Sequence, residues 1–236
     1  MALVKIKGVI VPNDSKWIYE WFEIDATSPN DVAKALESAN GENVDVEINS
    51  PGGSVYDGSE IYTALKSYPG RVNIKIVGVA ASAASVIAMA GDHVQISPTA
   101  QIMIHNVSSY AGGDYRDLEH EASVLKNYNK SIANAYILKT GLSQDELLAL
   151  MDNETWLTAQ QAKEKGFADE IMFDTSNQLV ASLNQTQMLP HAVIEKIRNT
   201  IKNPLSSQEA KENTADIFMQ QKTRFNLLKL KGDEKQ

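Results

Sequence analysis

VNIKIVGVAASAASVIAMAG, residues 72–91, is the stretch whose reading decides the fold. Val72–Val79 is rich in β-branched residues and reads as a strand. It runs into Ser82–Ala90, a helix of mostly small residues. Ser82 stands at the helix start. There the backbone can be strained, the hydroxyl exposed, and the helix dipole favours a developing negative charge. The placement repeats the logic of a nucleophile elbow without its G-x-S-x-G spelling. The plainer reading of a serine there is an N-cap. Ser85, three residues on, is the rival nucleophile. It falls within the first helical turns, where packing is the more ordinary role, so Ser82 is favoured.

Outward from this unit the strand–helix alternation continues. Leu3–Val11, Trp17–Ile24, Val44–Asn49, His93–Ile96, Gln101–His105 and Ala168–Phe173 read as strands. Helices are expected from Pro29 to about Ser38, Val55 to Ser67, Tyr115 to Thr140, after Ser143, and over Ala162–Lys165. Ser28 before Pro29 suits an N-cap followed by the first helical position. Ser143 with Glu146 and Thr158 with Gln161 spell capping boxes. Such alternation predicts an α/β domain. The Leu3–Val11 strand reads as an edge.

Two further segments bear on chemistry. In INSPGGSV (48–55) a strand ends in Ser50-Pro51 and two glycines lead toward a helix. Glycines allow backbone amides to approach a ligand closely, and amides at a helix start suit an anion. An ordinary tight turn is the competing reading. In AQIMIHN (100–106), His105 ends an apolar strand. Of the four histidines, His120 lies in a charged helical stretch, His191 in the tail, and His93 after a turn. Only His105 sits where a strand end could present it beside the Ser82 helix.

Composition sets the outer limits. The 236 residues are 43% hydrophobic and 22% charged, an ordinary globular balance, with net charge −8. That charge argues against free nucleic acid as partner, since phosphate binding wants a basic footprint. No cysteine is present, so disulfides and thiolate metal sites are excluded. The apolar stretch near the start is far too short to span a bilayer, and the expected location is the cytosol. Residues 1–174 form the folded domain, and composition changes near Asp174. Residues 175–187 read as a polar linker. Helices are expected over 191–202 and 208–230, in an extension that is either helical and docking or solvated and disordered. Residues 175–236 hold nine basic and six acidic side chains, net +3, against −11 for the first 174.

Taken together, INSPGGSV, GVAASAASVIAMAG (78–91), QIMIHN and ETWLTAQQAKEKGFADEI (154–171) resemble the Clp protease proteolytic subunit over roughly residues 1–173. The resemblance implies a ClpP/crotonase-like spiral of repeated ββα units with a protruding handle helix, here Tyr115–Thr140. It implies a serine endopeptidase with Ser82 as nucleophile and His105 as base. Gly53 and Ala83 would supply the oxyanion amides. The family's aspartate position falls on Glu154, a departure that lengthens the side chain by a methylene; Asp152 is the alternative. No cofactor and no metal is called for. Val107–Asp114 would lie beside an extended substrate, with a mobile loop as the rival reading. Leu118, Ala122, Leu125, Tyr128 and Ile132 give the handle an apolar stripe that could join rings, which the resemblance implies to be heptameric. Partners would be polypeptide substrates and an AAA+ unfoldase.

WFEIDATSP (21–29), the AASAAS run, the short ETWLTA segment and the tail resemble the ClpP-like head maturation proteases of tailed bacteriophages and prophages. That branch implies capsid or scaffold proteins as substrates, and the host cytoplasm or the phage prohead as location. Two other readings stand beside it. One is a capsid-assembly or scaffold component with a vestigial protease domain. The other is a crotonase-type acyl-CoA enzyme, which would use carboxylates and a CoA pocket rather than a Ser–His pair.

Overall fold

A computed structural model of the chain describes residues 2–173. The readings made for 174–236, linker and two helices, lie outside the described residues. The strands are β1 (Ala2–Ile10), β2 (Ala26–Thr27), β3 (Val44–Gly53), β4 (Val72–Ala81), β5 (His93–Ile96), β6 (Gln101–Ile104), β7 (Thr155–Thr158) and β8 (Glu170–Ile171). The helices are α1 (Lys16–Trp21), α2 (Pro29–Ala39), α3 (Val55–Lys66), α4 (Ala83–Ala88), α5 (Tyr115–Thr140), α6 (Gln144–Asp152) and α7 (Ala159–Glu164).

The main sheet runs β2-β1-β3-β4-β5-β8, with every neighbouring pair parallel. Val4, Ile6, Val46, Ile48, Ile74 and Ile76 are buried at alternate positions, as period-two patterning requires. Each such side chain contributes roughly 1.5–3 kcal/mol when removed from water. The expected α/β class is what is found. β1 is an edge over most of its length, because β2 pairs only with Val9 and Ile10.

β4 changes partner along its length. Asn73–Ile76 pairs with β5, whereas Val79–Ala81 pairs with β6. β6 then pairs antiparallel with β7, off the path of the main sheet. The register of β3 against β4 shifts between Ile48 and Ser50. At that irregularity Asn49 Oδ1 accepts the Val79 N–H at 3.2 Å, and a Cβ on Gly78 would lie 2.3 Å from Asn49 Oδ1. This change of partner places the ends of β3, β4 and β6 together.

One expected strand is a helix. Trp17–Ile24 is aromatic and β-branched, yet Lys16–Trp21 forms α1 and only Ala26–Thr27 is strand. β2 lies parallel to β1, and a parallel neighbour must be reached by a crossover rather than a hairpin. Helix α1 lies in that crossover. Ile18 and Tyr19 bury inward, while Lys16 Nζ meets Glu20 at 3.2 Å and Asp31 at 2.5 Å. Two smaller departures follow. The capping box at Ser143 is reduced to its serine half, Oγ accepting from the Glu146 N–H at 3.2 Å. The last strand is only Glu170–Ile171.

Helix α5 matches its predicted bounds and has two halves. Ile132, Ala133, Ala135 and Tyr136 are buried, but none of residues 115–131 is. Those first 17 residues extend about 25 Å at 1.5 Å per residue. The apolar stripe grades from exposed Leu118 and Ala122 through half-buried Leu125 and Tyr128 to buried Ile132.

Candidate active site

Ser82 joins β4 to α4 with φ 55° and ψ −125°, a left-handed conformation that a side chain disfavours. Holding a non-glycine residue there costs of order 1–3 kcal/mol. The conformation is pinned from both sides. The Ser82 N–H donates to the Met103 carbonyl at 2.9 Å, and the Ser82 carbonyl accepts from the Ser85 N–H at 2.9 Å. Its hydroxyl makes no capping bond to α4. Instead Ser82 Oγ lies 2.7 Å from His105 Nε2. The N-cap reading therefore fails for the side chain, although Ser82 occupies the N-cap position.

Ser85 has a different environment. It is fully buried; its hydroxyl donates to the Ser82 carbonyl at 2.6 Å and meets the Tyr136 hydroxyl at 2.8 Å. A hydroxyl has one proton to give, so Tyr136 is the donor in the second bond. Burial pushes the Tyr136 phenol far above its ordinary range, which keeps it protonated for that role. Ser85→Ala is expected to destabilise the fold by about 1–3 kcal/mol, the loss of a buried hydroxyl's partner. Urea unfolding checks this, and an unchanged midpoint would contradict it.

His105 directly follows β6 and is half-buried. Burial lowers its pKa below the ordinary 6.5, and the nearby Glu154 charge works in the opposite direction. The imidazole is thus kept neutral near pH 7, as proton acceptance requires. The β6–β7 ladder pairs Ile104 with Thr155. One step further along the same antiparallel register, His105 falls opposite Glu154. Glu154 has φ 44°, and its Oε1 accepts a long 3.4 Å contact from the Trp156 indole N–H. Asp152, the other acid, accepts from Asn106 Nδ2 at 2.7 Å. Asp152 is thus engaged with Asn106, while the charge of Glu154 bears on the His105 pKa.

The glycine pair packs against the Ser82 turn. A Cβ on Gly52 (φ 94°) would lie 2.6 Å from the Ala81 carbonyl, 2.7 Å from Ser82 Cβ and 3.0 Å from the Ala83 nitrogen. Gly53 (φ 151°) is as tightly placed against Ile10, whose carbonyl also accepts the Ser54 N–H at 2.9 Å. Ala83 opens α4, so its N–H has no partner in that helix's own ladder. Ser50, fully buried, donates to the Gly8 carbonyl at 2.6 Å and accepts the Gly52 N–H at 3.1 Å. Sequence reasoning missed Ser50 and Tyr136 as supports. The signal for Ser50 was a hydroxyl at a buried parity position of an apolar strand.

After His105, residues 106–112 adopt no regular secondary structure. The Val107 N–H donates to Asn129 Oδ1 at 2.8 Å, and Ser109 Oγ bonds Glu121, so the segment rests on α5. The remaining histidines are elsewhere. His93 pairs with Glu170 at 3.1 Å on the β5–β8 edge, His120 is exposed on α5, and His191 is outside the described residues. Among the described residues there is no cluster of metal-ligating side chains, and no helix is long and apolar enough to cross a membrane.

Comparison with known proteins adds a lineage. Residues 16–175 match the family described as Clp protease. The chain is 37% identical over 134 residues to an ATP-dependent Clp protease proteolytic subunit of Bacteroides fragilis, covering 56% of this chain and 65% of that protein. It is 33% identical over 157 residues to subunit 1 of Streptomyces avermitilis, covering 64% and 72%. With the Deinococcus radiodurans subunit it shares 33% over 143 residues, covering 59% and 70%. The chain thus spans slightly under two thirds of the Bacteroides relative.

Proposed function

The chain belongs to the Clp protease family, and from that premise we propose that it is a serine endopeptidase in which Ser82 is the nucleophile, His105 the general base and Glu154 the orienting acid. The observation that carries this reading is the 2.7 Å contact between His105 Nε2 and a Ser82 hydroxyl presented on a strained turn. Neutral His105 takes the proton as Ser82 Oγ bonds to a peptide carbonyl carbon. The Gly53 and Ala83 amides receive the oxyanion. His105 then passes its proton to the leaving amine, and the C–N bond breaks. Water, deprotonated by His105, hydrolyses the acyl-serine and regenerates the hydroxyl.

The assembly is a homo-oligomeric ring, heptameric by analogy with the family, and the exposed apolar half of α5 is suited to joining rings. Polypeptide segments would lie along residues 107–114 and pair by strand addition. The finer placement is with phage or prophage head maturation proteases, cleaving capsid or scaffold proteins. It rests on WFEIDATSP, the AASAAS run, ETWLTA and the added 62-residue extension, which would make residues 1–174 the protease domain. An AAA+ unfoldase would be an additional partner. The deciding experiment is mass spectrometry after incubation with a serine-reactive phosphonate, with purified capsid proteins as parallel substrates. Adduct on Ser82 in a ring-sized complex is expected. Adduct on another serine, or none, defeats the reading.

A pH profile follows from the burial of His105. Its lowered pKa means that the neutral imidazole persists to lower pH, so activity should fall only below pH 6.5. Glu154→Gln removes the charge that raises this pKa, so the acid limb should move further down while kcat decreases. Fluorogenic-peptide kinetics from pH 4.5 to 8 would read both. An acid limb moving upward in Glu154→Gln would contradict the assignment.

A further inference from the structure

We propose that Asn106 and Asp152 form a clamp that holds Glu154 against His105, which makes Asp152 a positioning residue rather than a triad member; this rests on the peptidase reading above. The β6–β7 ladder ends at Ile104 opposite Thr155. Beyond that pair the two segments continue as His105-Asn106 and, in reverse, Glu154-Asn153-Asp152. The Asn106 Nδ2 to Asp152 Oδ1 hydrogen bond, 2.7 Å, ties them just past the His105–Glu154 level.

Both halves of the clamp are stiff. On one side the end of α6 is fixed to itself. The Asn153 N–H donates to the Ala149 carbonyl at 3.3 Å and the Glu154 N–H to Met151 at 3.1 Å. Asn153 Nδ2 adds 2.8 Å to Ala149, and Thr155 Oγ1 adds 2.6 Å to Leu150. Met151 is buried beneath this turn. Asp152 and Glu154 therefore move together. On the other side, the Val107 N–H is held by Asn129 of α5 at 2.8 Å. The orientation of the Asn106 amide points the same way. Its Oδ1 is buried without a donor among the described residues. Flipping it would set an oxygen against the Asp152 carboxylate and lose a charge-assisted bond. The carboxylate thus dictates which way the amide faces.

The test uses the whole 236-residue chain. Asn106→Ala and Asp152→Ala are each expected to lower kcat on the order of 10- to 100-fold, the effect of a small misplacement of catalytic groups, with KM less affected. Both should shift the His105 titration, followed by 13C-imidazole NMR, toward lower pH as Glu154 retreats. The double variant should be no worse than either single one. Asp152→Asn keeps a carbonyl to accept the Asn106 N–H, and should recover most of kcat and the titration. Loss in Asp152→Asn equal to that in Asp152→Ala would mean that charge, not the clamp, matters, and would overturn the proposal. So would an unshifted His105 titration in Asn106→Ala. The titration decides the clamp even if phosphonate fails to label Ser82, an outcome that would sink the peptidase reading alone.

Discussion

Ser82→Ala is expected to lower peptide turnover on the order of 10^6-fold, the loss seen when a serine nucleophile is removed, while leaving the assembly unchanged in mass. The asymmetry follows from where the hydroxyl goes. It makes no capping bond to α4, and among the described residues its side-chain partner is His105 at 2.7 Å. Alanine keeps the Cβ, so the φ 55° strain and the Ser82 N–H bond to Met103 both persist. Stability should therefore change little. Ser82→Gly is the useful comparator: it is equally inactive, but glycine adopts positive φ freely, so its melting temperature should exceed that of Ser82→Ala. Turnover and phosphonate labelling surviving in Ser82→Ala would remove the nucleophile from this position.

How much of this was legible before the fold depends on the scale of the feature. Local signals held well. The Ser28 hydroxyl and N–H both bond Asp31 Oδ2, at 2.9 and 2.8 Å, ahead of Pro29, and Thr158 with Gln161 makes a full capping box. The long helix ends on Gly141 in the left-handed region. Ser82 was singled out at a strand-to-helix change and His105 by elimination among four histidines, and the fold brings the two side chains within 2.7 Å of each other. What a single sequence hides is non-local. Nothing in Trp17–Ile24 announces that its neighbour must be parallel, so its β-rich composition misled. The family spacing favoured Glu154 over Asp152, but nothing local announced that Asp152 would bond Asn106, 46 residues away in sequence. The two acids differ in what the opposite strand offers them, which no local pattern encodes.

The glycine before Ser54 gives the second large expectation, Gly53→Ala. At φ 151° a side chain is strained whatever the space. Here space is also missing. A Cβ would lie 2.2 Å from the Ile10 carbonyl oxygen, 2.8 Å from the Ile10 nitrogen and 2.9 Å from its carbonyl carbon. None of these is a movable side-chain tip. Ile10 is buried, pairs with Gly53 across β1 and β3, and bonds the Ser54 N–H that starts α3. Relief must come from displacing the Gly53 peptide itself, which carries the proposed oxyanion donor. Losing one such donor lowers kcat about 100- to 1,000-fold. The strained backbone should destabilise the fold by about 1–3 kcal/mol as well. The two effects separate experimentally. Phosphonate labelling at a temperature where the variant is fully folded reads the chemistry, and urea unfolding reads the strain. The unsubstituted protein is the control. If folded Gly53→Ala labels as fast as the unsubstituted protein, the amide at 53 holds no oxyanion, and the carbonyl must be received by other donors near Ala83.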